Sequence, residues 1–138
     1  MKNNQALISL HRYFIWANRL RDYFDNAIKN HDLTRGIKWA DEPGLFMSHW
    51  YGALYIVIEG WQELNLHDPI IDQLLQSPNV ELLKRFRNGA FHFQKKYWDK
   101  RFTEFWKDSQ DTVPWVRELN RAFGEFFLAE LQKVRKEK

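Results

Sequence analysis

Helical periodicity in nearly every segment, with no stretch that alternates like a strand between turns, predicts an all-α protein: an up-and-down bundle of four to five helices. Prolines placed as helix openers, at Pro43, Pro69 and Pro78, support that class. The size agrees as well, because 138 residues with 44% hydrophobic content are enough for one bundle core. The chain reads as a single domain over 1–138, with no internal repeat and no low-complexity tract.

The elements follow in order. Leu7, Leu10, Phe14, Ala17, Phe24 and Ile28 recur at three- and four-residue steps and define the apolar face of a long first helix. Arg21 falls inside that arc, and a cation there requires a carboxylate or carbonyl partner. The stretch from His31 to Glu42, containing Gly36, reads as a connection. Pro43 suits the first turn of a second helix, whose core face is Phe46, Trp50, Ala53, Leu54, Val57, Trp61 and Leu64. Opposite lies a stripe of Ser48, Tyr51, Tyr55, Glu59 and Gln62, expected to meet another chain or a partly polar site. Asn65 to Asp68 break that helix, and Asp68-Pro69 caps a short one running to Gln76. Ser77-Pro78 repeats the device, with Glu81 in the first turn of the next helix. A connection with a short amphipathic piece, Arg101 to Lys107, leads to Thr112-Val113-Pro114. The last helix then carries Trp115, Leu119, Ala122, Phe123, Phe126, Leu131 and Val134 on its apolar face.

Composition narrows the function classes. The longest apolar run, Ala53 to Ile58, is far shorter than the ~20 residues of a membrane span. The start Met1-Lys2-Asn3-Asn4-Gln5 lacks a signal-peptide pattern, which makes the cytoplasm the expected compartment. Zero cysteines exclude disulfides and thiolate metal sites. His11, His31, His49 and His67 show no metal-ligand spacing, so no metal site is expected. The seven tryptophans and eleven phenylalanines are core material and imply no cofactor.

Charge is concentrated. Between Lys84 and Arg101 stand seven basic residues (Lys84, Arg85, Arg87, Lys95, Lys96, Lys100, Arg101) and one acid, Asp99, for a net of +6. The rest of the chain nets −3, so the overall +3 arises in this window. Such a field gathers polyanions, and Lys84, Arg85, Lys95 and Lys96 are the expected RNA-binding residues. Inside the window, Arg87-Asn88-Gly89-Ala90-Phe91-His92 sets a permanent cation five residues before an imidazole. An Arg followed by His at this range is common by chance, and Arg85 also matches the looser pattern with six residues before His92. Requiring four intervening residues with Asn after the Arg lowers the chance expectation to about 0.02.

This motif, in the penultimate long helix of an all-α bundle, resembles the signature of HEPN domains, which is Arg, four to six residues, then His, often with Asn after the Arg. The resemblance implies metal-independent endoribonuclease activity at a site where two subunits bring their motifs together, with Arg87, Asn88 and His92 as the residues carried over. It also implies a homodimer, a toxin or defence setting, and an antitoxin or other partner protein. The toxin branch neutralised by nucleotidyltransferases has a Tyr two residues after the His, where this chain has Gln94.

The residue types suit the chemistry. Only His titrates unperturbed near neutral pH, as a base for the 2′-hydroxyl must. A guanidinium supplies parallel donors where a phosphorane gathers negative charge. Asn88, four residues before His92 on a helix, would share its face and orient the imidazole or bind a phosphate oxygen. Glu59 joins the candidate catalytic set as a carboxylate contested between Arg87 and Arg21. On an ideal helix Arg87 and His92 point about 140° apart. Either Gly89 relaxes the helix or two chains pair to converge the groups, and the second option fits the tyrosine stripe. Alternative readings stand beside these: Arg87 as an inter-helix ion pair with Glu59 or Glu63, His92 as a boundary residue, and the basic cluster as a solvated helix end. The runner-up function is a non-catalytic helical dimer that binds RNA, a nucleotide or a protein partner.

Overall fold

The computed structural model describes residues 2–30 and 41–137, which form six helices and no strand: α1 (Lys2–Asn30), α2 (Glu42–Glu63), α3 (Pro69–Leu74), α4 (Asn79–Phe91), α5 (Lys100–Trp106) and α6 (Ser109–Glu137). The all-α bundle is as expected. Most of the expected connection between the first two helices, 31–40, lies outside the described residues. None of the described helices is long and apolar enough to cross a membrane.

The face anticipated for α1 is the buried one, with Leu10, Phe14, Ala17 and Phe24 in the core and Leu7 and Ile28 packed at its margin. Arg21 is resolved locally. Its Nη1 lies 2.7 Å from Asp25 Oδ2, and its Nε donates to Asn18 Oδ1 at 2.9 Å. Asp25 also receives Arg117 Nη2 of α6 at 2.8 Å. Burial pushes the Asp25 carboxyl up, but the hydrogen bond and charge of Arg117, with Arg21 beside it, outweigh burial and leave it below the usual range.

α2 is the central helix, and it is buried on two sides. Leu54, Val57 and Trp61 fill the expected core face. Tyr51 and Tyr55, on the stripe expected to meet another chain or a partly polar site, are not open to another chain but are core residues with only 2% and 7% of their surface exposed. The correction has a simple cause. A helix wrapped by α1 on one flank and α4 on another needs a second apolar face, and tyrosine rings supply it. The Tyr51 ring packs 5.3 Å from Phe86 of α4 and 5.2 Å from Phe105 of α5. Burial pushes its phenol up to about 12. Trp50 is also enclosed, and its Nε1 donates to Asn120 Oδ1 of α6 at 2.9 Å. Asn120 Nδ2 in turn donates to Asn18 Oδ1 of α1 at 3.1 Å, so three helices share one polar chain.

The ends follow the punctuation in the sequence. Pro43 sits in the first turn of α2, whose N-cap Asp41 makes no side-chain cap bond. After α2, Asn65 takes a left-handed φ of 54°, a conformation Asn tolerates better than most residues. Asp68 caps α3, its Oδ1 accepting from the Ile70 and Ile71 amides at 3.0 Å each. Ser77 Oγ accepts from the Asn79 amide at 3.1 Å as α4 begins. α3 stops at Leu74, two residues before the expected Gln76.

α6 begins ahead of the expected Thr112, because Asp108 O accepts from the Thr112 amide at 2.9 Å and continues the turn backwards. Pro114 therefore lies inside the helix, in its second turn. Phe127 is buried although it was not among the expected core residues, whereas Leu131 and Val134 are exposed. Those two line an open apolar groove with Leu7, Ile8 and His11 at the α1–α6 edge, because no other described helix covers the end of α6.

Candidate active site

The motif straddles the end of α4. Arg87 and Asn88 are in its last turns, the helix stops at Phe91, and His92 is the C-cap with φ −124° and ψ 127°. The His92 amide still donates to Asn88 O at 3.1 Å, but the extended backbone carries the imidazole away from the helical face. The expected continuous helix through His92, and the 140° divergence it implied, are therefore corrected. Gln94 contributes to the break, since its Nε2 donates to His92 O at 2.8 Å and occupies a carbonyl that a further turn would use. Arg101 Nη1 donates to Gln94 Oε1 at 3.0 Å and to Asp99 Oδ1 at 3.0 Å, tying the segment after α4 to the start of α5.

Arg87 is clamped. Its Nη1 pairs with Glu59 Oε1 of α2, and its Nη2 donates to Asn88 Oδ1 at 3.1 Å. The guanidinium lies over the Tyr55 ring, 4.7 Å from its centroid. The contest for Glu59 thus goes to Arg87, since Arg21 is occupied by Asp25 and Asn18. Asn88 Oδ1 accepts from Arg87, and no hydrogen bond among the described residues joins Asn88 to the imidazole, the first of the two roles expected of it. Burial pushes the Tyr55 phenol up, the nearby Glu59 adds to this, and Arg87 opposes both. The hydroxyl therefore stays protonated through the neutral range.

The basic window divides by residue type. Arg85 pairs with Glu104 of α5, so its guanidinium is not the open phosphate contact expected of it. Arg87 pairs with Glu59, and Arg101 with Asp99. Lys84, Lys95, Lys96 and Lys100 are exposed and form no ion pair among the described residues. Arginine is suited to the first task because its planar fork fits a carboxylate, while lysine keeps a mobile, hydrated charge. Glu59 and Glu104 bring two acids to the window from α2 and α5, which lowers its field below the +6 read along the chain.

Two features of the site were not legible as site residues. His49 of α2 sets its ring edge-on to Phe91, with centroids 5.5 Å apart, next to His92 in the chain. Its Nδ1 lies 3.0 Å from Leu45 O, and a carbonyl only accepts, so Nδ1 is the donor in that contact. Beneath this pair, Gly52 of α2 leaves room for the Phe91 ring, which a Cβ at that position would strike. The second feature is the run of exposed rings after α4, Phe93, Tyr97 and Trp98. Its only sequence signal was the loss of helical period between Phe91 and Phe102.

Comparison of the chain with protein-family models, with curated proteins and with solved structures gives no match.

Proposed function

We propose that this protein is a metal-independent endoribonuclease of HEPN type, working as a homodimer in a toxin or defence setting. The observation that carries the reading is the unequal treatment of the two motif residues. Arg87 is fixed by Glu59, Asn88 and Tyr55, while His92 is turned out of the helix into solvent one step beyond. Glu59 and Asn88 engage two of the five guanidinium donors, and the remaining ones are of the right kind for a phosphate. In the proposed reaction neutral His92 takes the 2′-hydroxyl proton, and the 2′-oxygen forms a bond to the adjacent phosphorus. The bond from phosphorus to the 5′-oxygen breaks, and that oxygen takes a proton from an imidazolium, the equivalent histidine of a second copy. The products carry a 2′,3′-cyclic phosphate and a 5′-hydroxyl. Arg87 holds the phosphate as charge builds on it.

The test is cleavage of RNA by the full chain. His92→Ala and Arg87→Ala should each lower the rate at least ~100-fold. Activity should persist in EDTA, and Arg87→Lys should recover only part of it. Full cleavage by His92→Ala, or loss of cleavage on chelation, overturns the reading. A second function stays in view because of the Arg87–Glu59 pair, which is also what an ion pair joining two helices of a binding module would look like. That module, a non-catalytic dimer taking RNA, a nucleotide or a protein partner, is favoured if the folded dimer binds RNA without cutting it.

A further inference from the structure

We infer that the segment from Phe93 to Trp98 is a stacking platform for unpaired nucleotides, so that the RNA taken at this site is single-stranded; the inference rests on the RNA reading above. Exposed rings that cluster mark a binding surface where scattered ones do not. Phe93 is 90% exposed, Tyr97 57% and Trp98 62%, all within six residues. Tyr97 and Trp98 stand perpendicular, with centroids 4.8 Å apart, and form a corner in which a base can lie on one ring face with its edge toward the other ring. The core takes no part of this cluster. Phe91, the ring just before it, is the one anchored over Gly52 and against His49.

The charges decide what fits there. Lys95 and Lys96 lie between the rings and Lys100 just beyond them, all exposed and unpaired by acids among the described residues. Protein interfaces are enriched in aromatic residues but depleted in lysine. Rings alternating with lysines match a single strand, whose bases stack while its phosphates meet the cations. A duplex hides its base faces, so only its phosphates would be engaged. Phe93 directly follows His92 in the chain, so the platform begins one residue from the proposed proton-transfer group.

The test uses the full-length His92→Ala protein, which keeps the platform and removes the proposed proton-transfer group. Fluorescence anisotropy would compare labelled RNA and DNA single strands of about eight nucleotides with a blunt RNA duplex of the same length. Both single strands should bind, since stacking needs no 2′-hydroxyl, and the duplex about tenfold more weakly. Phe93→Ala and Trp98→Ala should each weaken single-strand binding about tenfold with thermal unfolding unchanged. Equal binding of strand and duplex, or parental binding by both ring variants, overturns the inference. So does a change from dimer to monomer in the ring variants, which would make the patch an interface between copies. Failure here is distinguishable from failure of the nuclease reading. If His92-dependent cleavage survives in ring variants that bind like the parent, only the platform is lost. If single strands bind through the rings and nothing is cut, only the nuclease is lost.

Discussion

Two aromatic clusters a few residues apart in the chain meet opposite fates. Phe86 of α4 is closed into a lattice with Tyr51 at 5.3 Å and with Phe102 and Phe105 of α5 at 5.5 and 5.7 Å. Phe93, Tyr97 and Trp98 stand in water. The residue types are the same, so hydrophobicity alone does not explain the difference. Leu83 and Phe86 are three apart on a continuing helix and share one face, whereas the helix is gone by Phe93 and no periodic neighbour points the same way. Burial follows from register, and a ring without register is left at the surface.

The largest effect that sharpens this contrast is on stability. Phe86→Ala should lower unfolding free energy by about 3–5 kcal/mol, the usual loss for an enclosed ring. Trp98→Ala should change it by less than about 0.5 kcal/mol. Chemical denaturation of the two variants measures both, and equal losses would erase the distinction between the clusters. A smaller effect is seen with pH. The folded Tyr51 phenol is pushed up to about 12 from an ordinary value near 10. The folded state then holds its proton longer than the unfolded one, so stability is intact below about pH 10 and lost progressively as pH rises toward 12, by about 2–3 kcal/mol. Denaturant titrations across that window should show the decline, and Tyr51→Phe should flatten it. The smallest effect belongs to the exposed side. Changing Lys95 and Lys96 to Ala should lower the salt dependence of single-strand binding by about 1.4 in the log–log slope, without a change in unfolding.

Much of the fold was legible because periodicity and punctuation agree. The faces of α1 and α6 near Trp115 to Phe123, the Asp68-Pro69 cap and the short α5 all appear where the residues place them. What was not legible depends on neighbours remote in sequence. Tyr51 and Tyr55 look amphipathic on a wheel, and only the approach of α4 and α5 turns that side into core. The extent of α4 was misjudged because Gln94 and His92 settle it between themselves through a side-chain-to-carbonyl bond. The motif residues were legible, but their company was only half so. The Glu59 partnership was one of two options, whereas Tyr55 beneath Arg87 and His49 beside Phe91 need the helix packing to be known. Local charge was overstated for the same reason, since Glu59 and Glu104 lie outside the basic window and reach it only in the fold.

The absence of a side chain at Gly52 fixes more than a contact. Because the Phe91 ring rests directly on the α2 backbone, only the Phe91 side chain lies between the end of α4 and the most enclosed helix of the molecule. A second side chain at that point would add rotamers of its own and hold the ring further out. One helix, α2, thus meets both halves of the motif, taking the Phe91 ring next to His92 and pairing Glu59 with Arg87. A methyl group at Gly52 would have to displace the Phe91 ring, one residue from the imidazole.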